Sequence, residues 1–236
     1  MSDLQSKLVM VALTFGQSNS ANSGGTPRAA GPNVYNFAEG HLYQAQDPLL
    51  GATGERGSVW TRLGGKLLET GSYDAVVFIT IGVDNTHIAR WVPTGDLYPR
   101  VVAAIEQARA AGLTITHLLW HQGENDNALN TTRAQYRTMF MEMLAGIRGH
   151  GITAPIYVSR TSRCGDMPPS EEIRRAQTDV ISIADGILPG PDTDRLGPEF
   201  RLPDGCHFSD AGLELFATLW LEALQAPSSS HGPTQN

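Results

Sequence analysis

An apolar run at residues 9–15 stops abruptly at the polar segment Gly16-Gln17-Ser18-Asn19. Short apolar runs that are rich in Val and Leu and end at a glycine are typical of buried strands in parallel sheets. In such sheets, ligands bind beyond the carboxyl ends of the strands. Ser18 is therefore predicted to lie at the edge of the sheet where chemistry would take place. The alternative is that these residues only turn the chain, since Gly, Ser and Asn are common in turns.

Downstream, apolar runs of strand length alternate with segments of helical periodicity. Further strands are predicted at residues 34–37, 75–81, 113–120 and 155–159, and helices at 58–70, 97–111, 133–148, 171–183 and 210–226. Residues 186–203 are rich in Gly and Pro and are predicted to be loop, and residues 227–236 a disordered tail. The alternation predicts one α/β domain over residues 1–226, a three-layer α/β/α sandwich. Its parallel sheet would have about five strands in flavodoxin-like order.

Composition narrows the function classes. The 236 residues are 41% hydrophobic and 17% charged, as in a folded globular protein, and the formal charge is −7. This charge argues against nucleic acid or an anionic membrane as the partner, and no apolar run is long enough to span a bilayer. Lys7 and the run after it faintly resemble a signal peptide, but cleavage there would remove Ser18. We therefore expect a cytoplasmic protein, or a secreted or periplasmic one if a signal has been trimmed. The oligomeric state is left open.

A second polar motif, Asp204-Gly205-Cys206-His207, stands just before the last predicted helix. A serine hydroxyl becomes a good nucleophile when a neutral imidazole takes its proton and a carboxylate holds the other ring nitrogen. An Asp three residues before a His can fold back within one loop to reach that nitrogen. The motif therefore predicts a base and its orienting carboxylate, although such a tetrapeptide alone is common.

Two further polar segments follow predicted strands. Gly82 ends the run at residues 75–81, and Gly123-Glu124-Asn125-Asp126 follows the run at 113–120. Acyl transfer requires hydrogen-bond donors aimed at the developing oxyanion. Glycine permits a close approach of the backbone to a ligand, and an asparagine amide can donate.

Together these segments resemble the four sequence blocks of the SGNH, or GDSL-like, hydrolases, in the same order along the chain. The first block reads Gly16-Gln17-Ser18-Asn19 and the third includes the sequence WHQGE at residues 120–124. Both resemble the sialate O-acetylesterase and acetylxylan esterase branch, as does the sequence RRAQ at residues 174–177. The resemblance spans about residues 9–224. The second block departs from the branch, which often has Gly-x-Ser-x-x-x-x-Trp where this chain reads GVDNTHIARW at 82–91.

The resemblance implies an SGNH hydrolase fold without metal or cofactor, acting on a small-molecule or polysaccharide ester. Ser18 would be the nucleophile, His207 the base and Asp204 its orienting residue. The oxyanion hole would use the amides of Ser18 and Gly82 and a side-chain amide from either Asn125 or Gln122, of which we favour Asn125. The candidate substrate contacts are Gln17, Trp91 and Glu124.

These observations predict a serine esterase that removes acetyl or similar small acyl groups from carbohydrates. The rival functions are an acetyltransferase, an esterase of lipids or thioesters, and a carbohydrate-binding domain with an inactive triad. A metal held by His121, Glu124 and Asp126 is disfavoured because the spacing is a weak pattern. A nucleophilic Cys206 is disfavoured because adjacent side chains point apart. Cys164 and Cys206 either form a disulfide that braces the catalytic loop or remain two free thiols.

Overall fold

The computed structural model describes residue 4 and residues 6–226, so the predicted tail lies outside the described residues. The strands are β1 Val9–Gly16, β2 Val34–Ala38, β3 His41–Gln44, β4 Ala75–Thr80, β5 His117–His121, β6 Ile156–Arg160 and β7 Ile187–Asp192. The helices are α1 Trp60–Glu69, α2 Tyr98–Ala110, α3 Glu124–Ala128, α4 Arg133–Gly149, α5 Glu171–Asp179 and α6 Asp210–Gln225. None of these helices is long and apolar enough to cross a membrane.

All seven strands form one sheet in the order β3-β2-β4-β1-β5-β6-β7. Every pairing is parallel except that of β2 with β3, which is antiparallel. Strands β4, β1, β5, β6 and β7 follow a flavodoxin-like order, but this set includes β7, which was predicted to be loop, and leaves out the predicted strand β2. The prediction of about five strands is corrected to seven.

Both additional strands lie at the edges of the sheet. In β3 only Leu42 is partly buried, so the strand lacks the apolar run by which the inner strands were predicted. In β7 the sequence ILPGPD contains two prolines and a glycine, which favoured a loop. Proline is tolerated on an edge strand, because its missing N–H is not needed by a further neighbour.

The sheet separates two apolar cores. In β1, Val11, Leu13 and Phe15 face one core, whereas Met10 and Ala12 face the other. Helices α2, α4 and α5 contribute buried residues to the first core and α1 and α6 to the second. The predicted three-layer α/β/α arrangement is confirmed.

Candidate active site

The turn after β1 carries the predicted nucleophile. Gly16 has a φ of +127°, and a Cβ there would lie 2.1 Å from the His121 carbonyl oxygen. Only glycine therefore allows β1 to end so close to the end of β5. Gln17 then donates its backbone N–H to the same carbonyl at 3.1 Å, and Ser18 begins a short 3-10 turn. Ser18 is 4% exposed, and its hydroxyl makes no hydrogen bond to the described residues.

The predicted base and its carboxylate share one tight loop between β7 and α6. His207 Nδ1 lies 2.7 Å from Asp204 Oδ2. The other oxygen, Oδ1, accepts the backbone N–H groups of Cys206 at 2.8 Å and His207 at 3.0 Å, which closes an Asx turn. Gly205 occupies the left-handed region at φ +66°. The contact expected from the Asp-x-x-His spacing is thus present.

Asp204 is electrostatically suited to orient an imidazole. Burial on its own would raise the pKa of Asp204. The hydrogen bonds from the His207 ring and from the two loop amides outweigh burial and hold this pKa below its usual range. The carboxyl group therefore stays ionised at neutral pH. A carboxylate at Nδ1 favours the tautomer in which Nε2 of His207 can accept a proton.

A disulfide joins Cys164 to Cys206, the residue before His207. A hydrogen bond joins the same two loops: the Gly165 N–H donates to the Gly205 carbonyl at 3.2 Å. Of the two alternatives for the cysteines, the structure shows the disulfide. It ties the loop after β6 to the loop that holds Asp204 and His207.

The candidate oxyanion donors lie at the ends of β1, β4 and β5. Within the described residues, the backbone N–H groups of Ser18 and Gly82 make no hydrogen bonds. A Cβ at Gly82 would lie 2.7 Å from the Ser20 carbonyl oxygen, so a glycine here lets the second block pack against the nucleophile turn. Asn125 donates one amide hydrogen to the Asn85 carbonyl at 3.3 Å, which leaves its second hydrogen available.

Gln122 is a poor candidate for the same role. It is fully buried, and its Nε2 lies within hydrogen-bond distance of Gln17 Oε1, the Thr86 carbonyl and Asp126 Oδ2. The backbone carbonyl of Gln122 accepts hydrogen bonds from the Tyr136 hydroxyl at 2.7 Å and the Gln177 side-chain amide at 3.1 Å. Gln122 thus holds the third block in place, and its side-chain amide already donates to acceptors within the protein.

The three candidate substrate contacts are all buried. Gln17 Oε1 accepts the N–H groups of Gly123 and Asn125, so this side chain supports the third block. Trp91 is fully buried against Phe15 and Trp120, and is therefore corrected to a core residue.

Glu124 is 1% exposed, which removes it from contact with a ligand at the surface. Burial raises its pKa. Burial also lowers the pKa of the neighbouring His121 to about 3, and His121 Nδ1 lies 3.8 Å from Glu124 Oε1. In both cases burial shifts the pKa in the direction that favours the neutral form. In the part of the chain that the structure describes, no three His, Cys, Asp or Glu side chains are arranged to hold a metal ion.

Two further residues at the site were not predicted. Asn19 bonds to both Glu124 and Cys206, and Arg201 donates to the Cys206 carbonyl at 2.6 Å. Asn19 belongs to the first block and could have been singled out with Ser18. Arg201 carries no signal in the sequence, because a lone arginine in a loop is usually a surface charge.

A profile of the family described as "Carbohydrate esterase, sialic acid-specific acetylesterase" matches residues 9–187. This chain belongs to that family. The predicted resemblance to SGNH carbohydrate esterases is thereby confirmed, and the protein is a carboxylic ester hydrolase. Comparison with curated protein sequences gives no significant match to this esterase.

Solved structures share the fold of the esterase at low sequence identity. A protein from Arabidopsis thaliana is 18% identical with a TM-score of 0.74, over 92% of this chain and 98% of the other. NanS is 15% identical with a TM-score of 0.64, over 92% of this chain and 96% of the other. A carbohydrate acetylesterase from Xanthomonas citri is 16% identical with a TM-score of 0.60, over 91% of this chain and 55% of the other. These likenesses establish the fold.

Proposed function

We propose that this esterase removes acetyl or similar small acyl groups from carbohydrates by way of a Ser18–His207–Asp204 triad and an acyl-enzyme. The observation that carries the proposal is the 2.7 Å contact between Asp204 Oδ2 and His207 Nδ1. It leaves His207 Nε2 as the proton acceptor, in a loop whose Cys206 carbonyl is within hydrogen-bond distance of Asn19, the neighbour of Ser18.

In the proposed reaction, Ser18 Oγ attacks the ester carbonyl carbon as its proton passes to His207 Nε2. The N–H groups of Ser18 and Gly82 and the amide of Asn125 stabilise the oxyanion. Collapse breaks the bond to the sugar oxygen, which takes the proton from the imidazolium and leaves as the alcohol. Water then attacks the acyl-enzyme carbonyl as His207 accepts its proton. The second collapse breaks the bond to Ser18 Oγ, which takes that proton back from the imidazolium as the carboxylic acid leaves.

Acetate release from a panel of acetylated xylans, sialic acids and peracetylated monosaccharides tests the substrate class. Ser18→Ala is expected to lower kcat by several orders of magnitude while the protein stays folded. Ser20→Ala is the matched control, because this buried hydroxyl in the same turn bonds only to the Phe15 carbonyl within the described residues. Rapid quenching followed by peptide mass spectrometry should find the acyl group on the peptide that contains Ser18.

The proposed chemistry is contradicted if Ser18→Ala retains more than about a tenth of the wild-type kcat. Added alcohols separate hydrolysis from acyl transfer. A hydrolase releases mainly free acetate in their presence, whereas a transferase passes the acyl group to the alcohol.

A further inference from the structure

The side chain of Asn19 bridges three segments of the active site. Asn19 is 5% exposed, and its Nδ2 donates to Glu124 Oε1 at 2.9 Å and to the Cys206 carbonyl at 3.4 Å. An amide nitrogen carries two hydrogens, so both bonds can form together. One side chain therefore connects the nucleophile turn, the start of α3 and the loop that holds the base. These segments lie 105 and 187 residues from Asn19 along the chain.

The Cys206 carbonyl is itself held from the other side by Arg201. Arg201 Nη1 donates to this oxygen at 2.6 Å, and Nη2 donates to the Thr193 carbonyl at 3.1 Å. The guanidinium lies over the Phe208 ring, 4.7 Å from its centroid. Burial lowers the pKa of Arg201, as expected for a cation removed from water. The Cys206 carbonyl, next to His207, is thus held by a donor on the rigid, planar guanidinium of Arg201.

The second acceptor of the Asn19 amide is the Glu124 carboxyl group. It is buried at the start of α3, and its Oε2 has no hydrogen-bond partner among the described residues. Its Oε1 accepts the amide of Asn19. A buried carboxyl group with so few partners lowers stability. The contact it does make is with the residue next to the candidate nucleophile.

Proton transfer between Ser18 and His207 requires their reacting atoms to come within about 3 Å, and a misplacement of about 1 Å can cost a hundredfold in rate. Ser18 and His207 belong to loops at opposite ends of the chain. Ser18 is next to Asn19, which donates this hydrogen bond, and His207 is next to Cys206, whose carbonyl accepts it. We propose that Asn19 is a positioning residue that holds the Ser18 turn in register with the His207 loop, supported by Glu124 and Arg201. The inference rests on the proposed roles of Ser18 and His207.

The direct test is Asn19→Asp, which keeps the shape of the side chain but replaces both N–H donors with oxygen. The one new oxygen, in place of Nδ2, cannot donate to the Cys206 carbonyl, so the link between the Ser18 turn and the His207 loop should be lost. We expect kcat for an acetyl ester to fall by about a hundredfold or more, with KM changed by less than about threefold. Arg201→Met should also lower kcat with little change in KM, and Arg201→Lys, which retains a donor, should recover part of the loss.

Asn36→Asp is the matched control. Asn36 is also buried, and its amide also bonds to carbonyl groups of other segments, those of Leu50 and Phe78, but it touches none of the three active-site loops. This variant should lose stability as Asn19→Asp does, and yet retain the wild-type kcat at temperatures where it is folded. If Asn19→Asp does not fold, Asn19→Ala and the Arg201 pair carry the same test.

A double-mutant cycle separates positioning from general destabilisation. In a His207→Ala background there is no base to position, so Asn19→Asp should change the residual rate by less than about threefold. An equal loss of kcat with and without His207, or a loss confined to KM, would overturn the positioning role. If Ser18→Ala and His207→Ala are themselves active, the proposed triad fails instead, so the two failures are distinguishable.

Discussion

At the scale of single residues, the sequence blocks predicted which side chains lie in the candidate active site, but not the role of each one. The Asp204 and His207 contact followed from spacing, because an Asx turn brings residues three apart together. The third block was harder to interpret. Gln122, Glu124 and Asn125 all carry polar groups that suit an active site, and only their burial and partners separate them. Sequence spacing does not reveal that Gln122 Nε2 is enclosed by three protein acceptors.

The oxyanion hole provides a prediction at this scale. Asn125→Ala is expected to lower kcat by about a hundred- to a thousandfold with little change in KM, because the proposed donor acts on charge that develops in the transition state. Gln122→Ala should instead lower the free energy of unfolding as well as activity, since it removes buried hydrogen bonds to Thr86 and Asp126. Steady-state kinetics and urea denaturation of both variants distinguish the two effects.

Asn127→Ala is the control for Asn125, because it lies on the same helix α3 and bonds to the Ser162 and Pro168 carbonyls instead of to the second block. It should retain kcat at temperatures where it is folded. If Asn125→Ala retains most of its activity while Gln122→Ala loses kcat without losing stability, Gln122 is the donor.

At the scale of elements, strong apolar periodicity was sufficient to predict the inner strands and the long helices. It failed where an element is short or lies at an edge. Helix α3 has only five residues, is preceded by a glycine and is mostly polar, so its sequence is typical of a loop. Helix α5 ends at Asp179, four residues before its predicted end. Val180 and Ile181 lie beyond the end of α5 and pack into the first core.

The disulfide provides the prediction at this scale. It closes a segment of 42 residues between loops that follow different strands. Loop-closure entropy for such a segment corresponds to about 4 kcal/mol, within a usual range of about 2–4 kcal/mol. Reduction with a phosphine should therefore lower the melting temperature. It should also lower kcat more than it raises KM, because Cys206 is next to His207. The assays are thermal unfolding and acetyl-ester kinetics before and after reduction.

Cys164→Ala is the control variant. It should match the reduced wild-type protein in stability and kcat and should not respond further to the reductant. Two free thiols titrated in unreduced, denatured wild-type protein would contradict the disulfide. An unchanged kcat after complete reduction would show that the disulfide does not support the catalytic loop.

At the scale of the whole molecule, the fold gathers residues from both ends of the chain at one edge of the sheet. The parallel topology made this predictable, since the carboxyl ends of parallel strands meet at one edge. The opposite edge was not predicted in any detail. His117 begins β5 there, where its ring stacks on Tyr157 and Nδ1 lies 2.8 Å from Thr116 Oγ1. Its burial depends on how neighbouring strands and helices cover it, which one sequence does not reveal.

His117 provides the last prediction, on stability in acid. Burial lowers its pKa from 6.5 to about 4 in the folded protein. Below pH 6.5 the unfolded chain therefore takes up a proton that the folded protein does not. The stability that the neutral His117 contributes is fully present above pH 6.5. It is lost as the pH falls towards about 4, by up to about 1.4 kcal/mol of unfolding free energy per pH unit. His117→Gln should therefore make the free energy of unfolding, measured with urea, less steeply dependent on pH between 6.5 and 4.

Tyr157→Phe is the control, because it disturbs the same stack but retains the imidazole, so it should keep the wild-type slope. If His117→Gln and wild type lose stability at the same rate over this range, His117 does not contribute to the acid sensitivity of the fold.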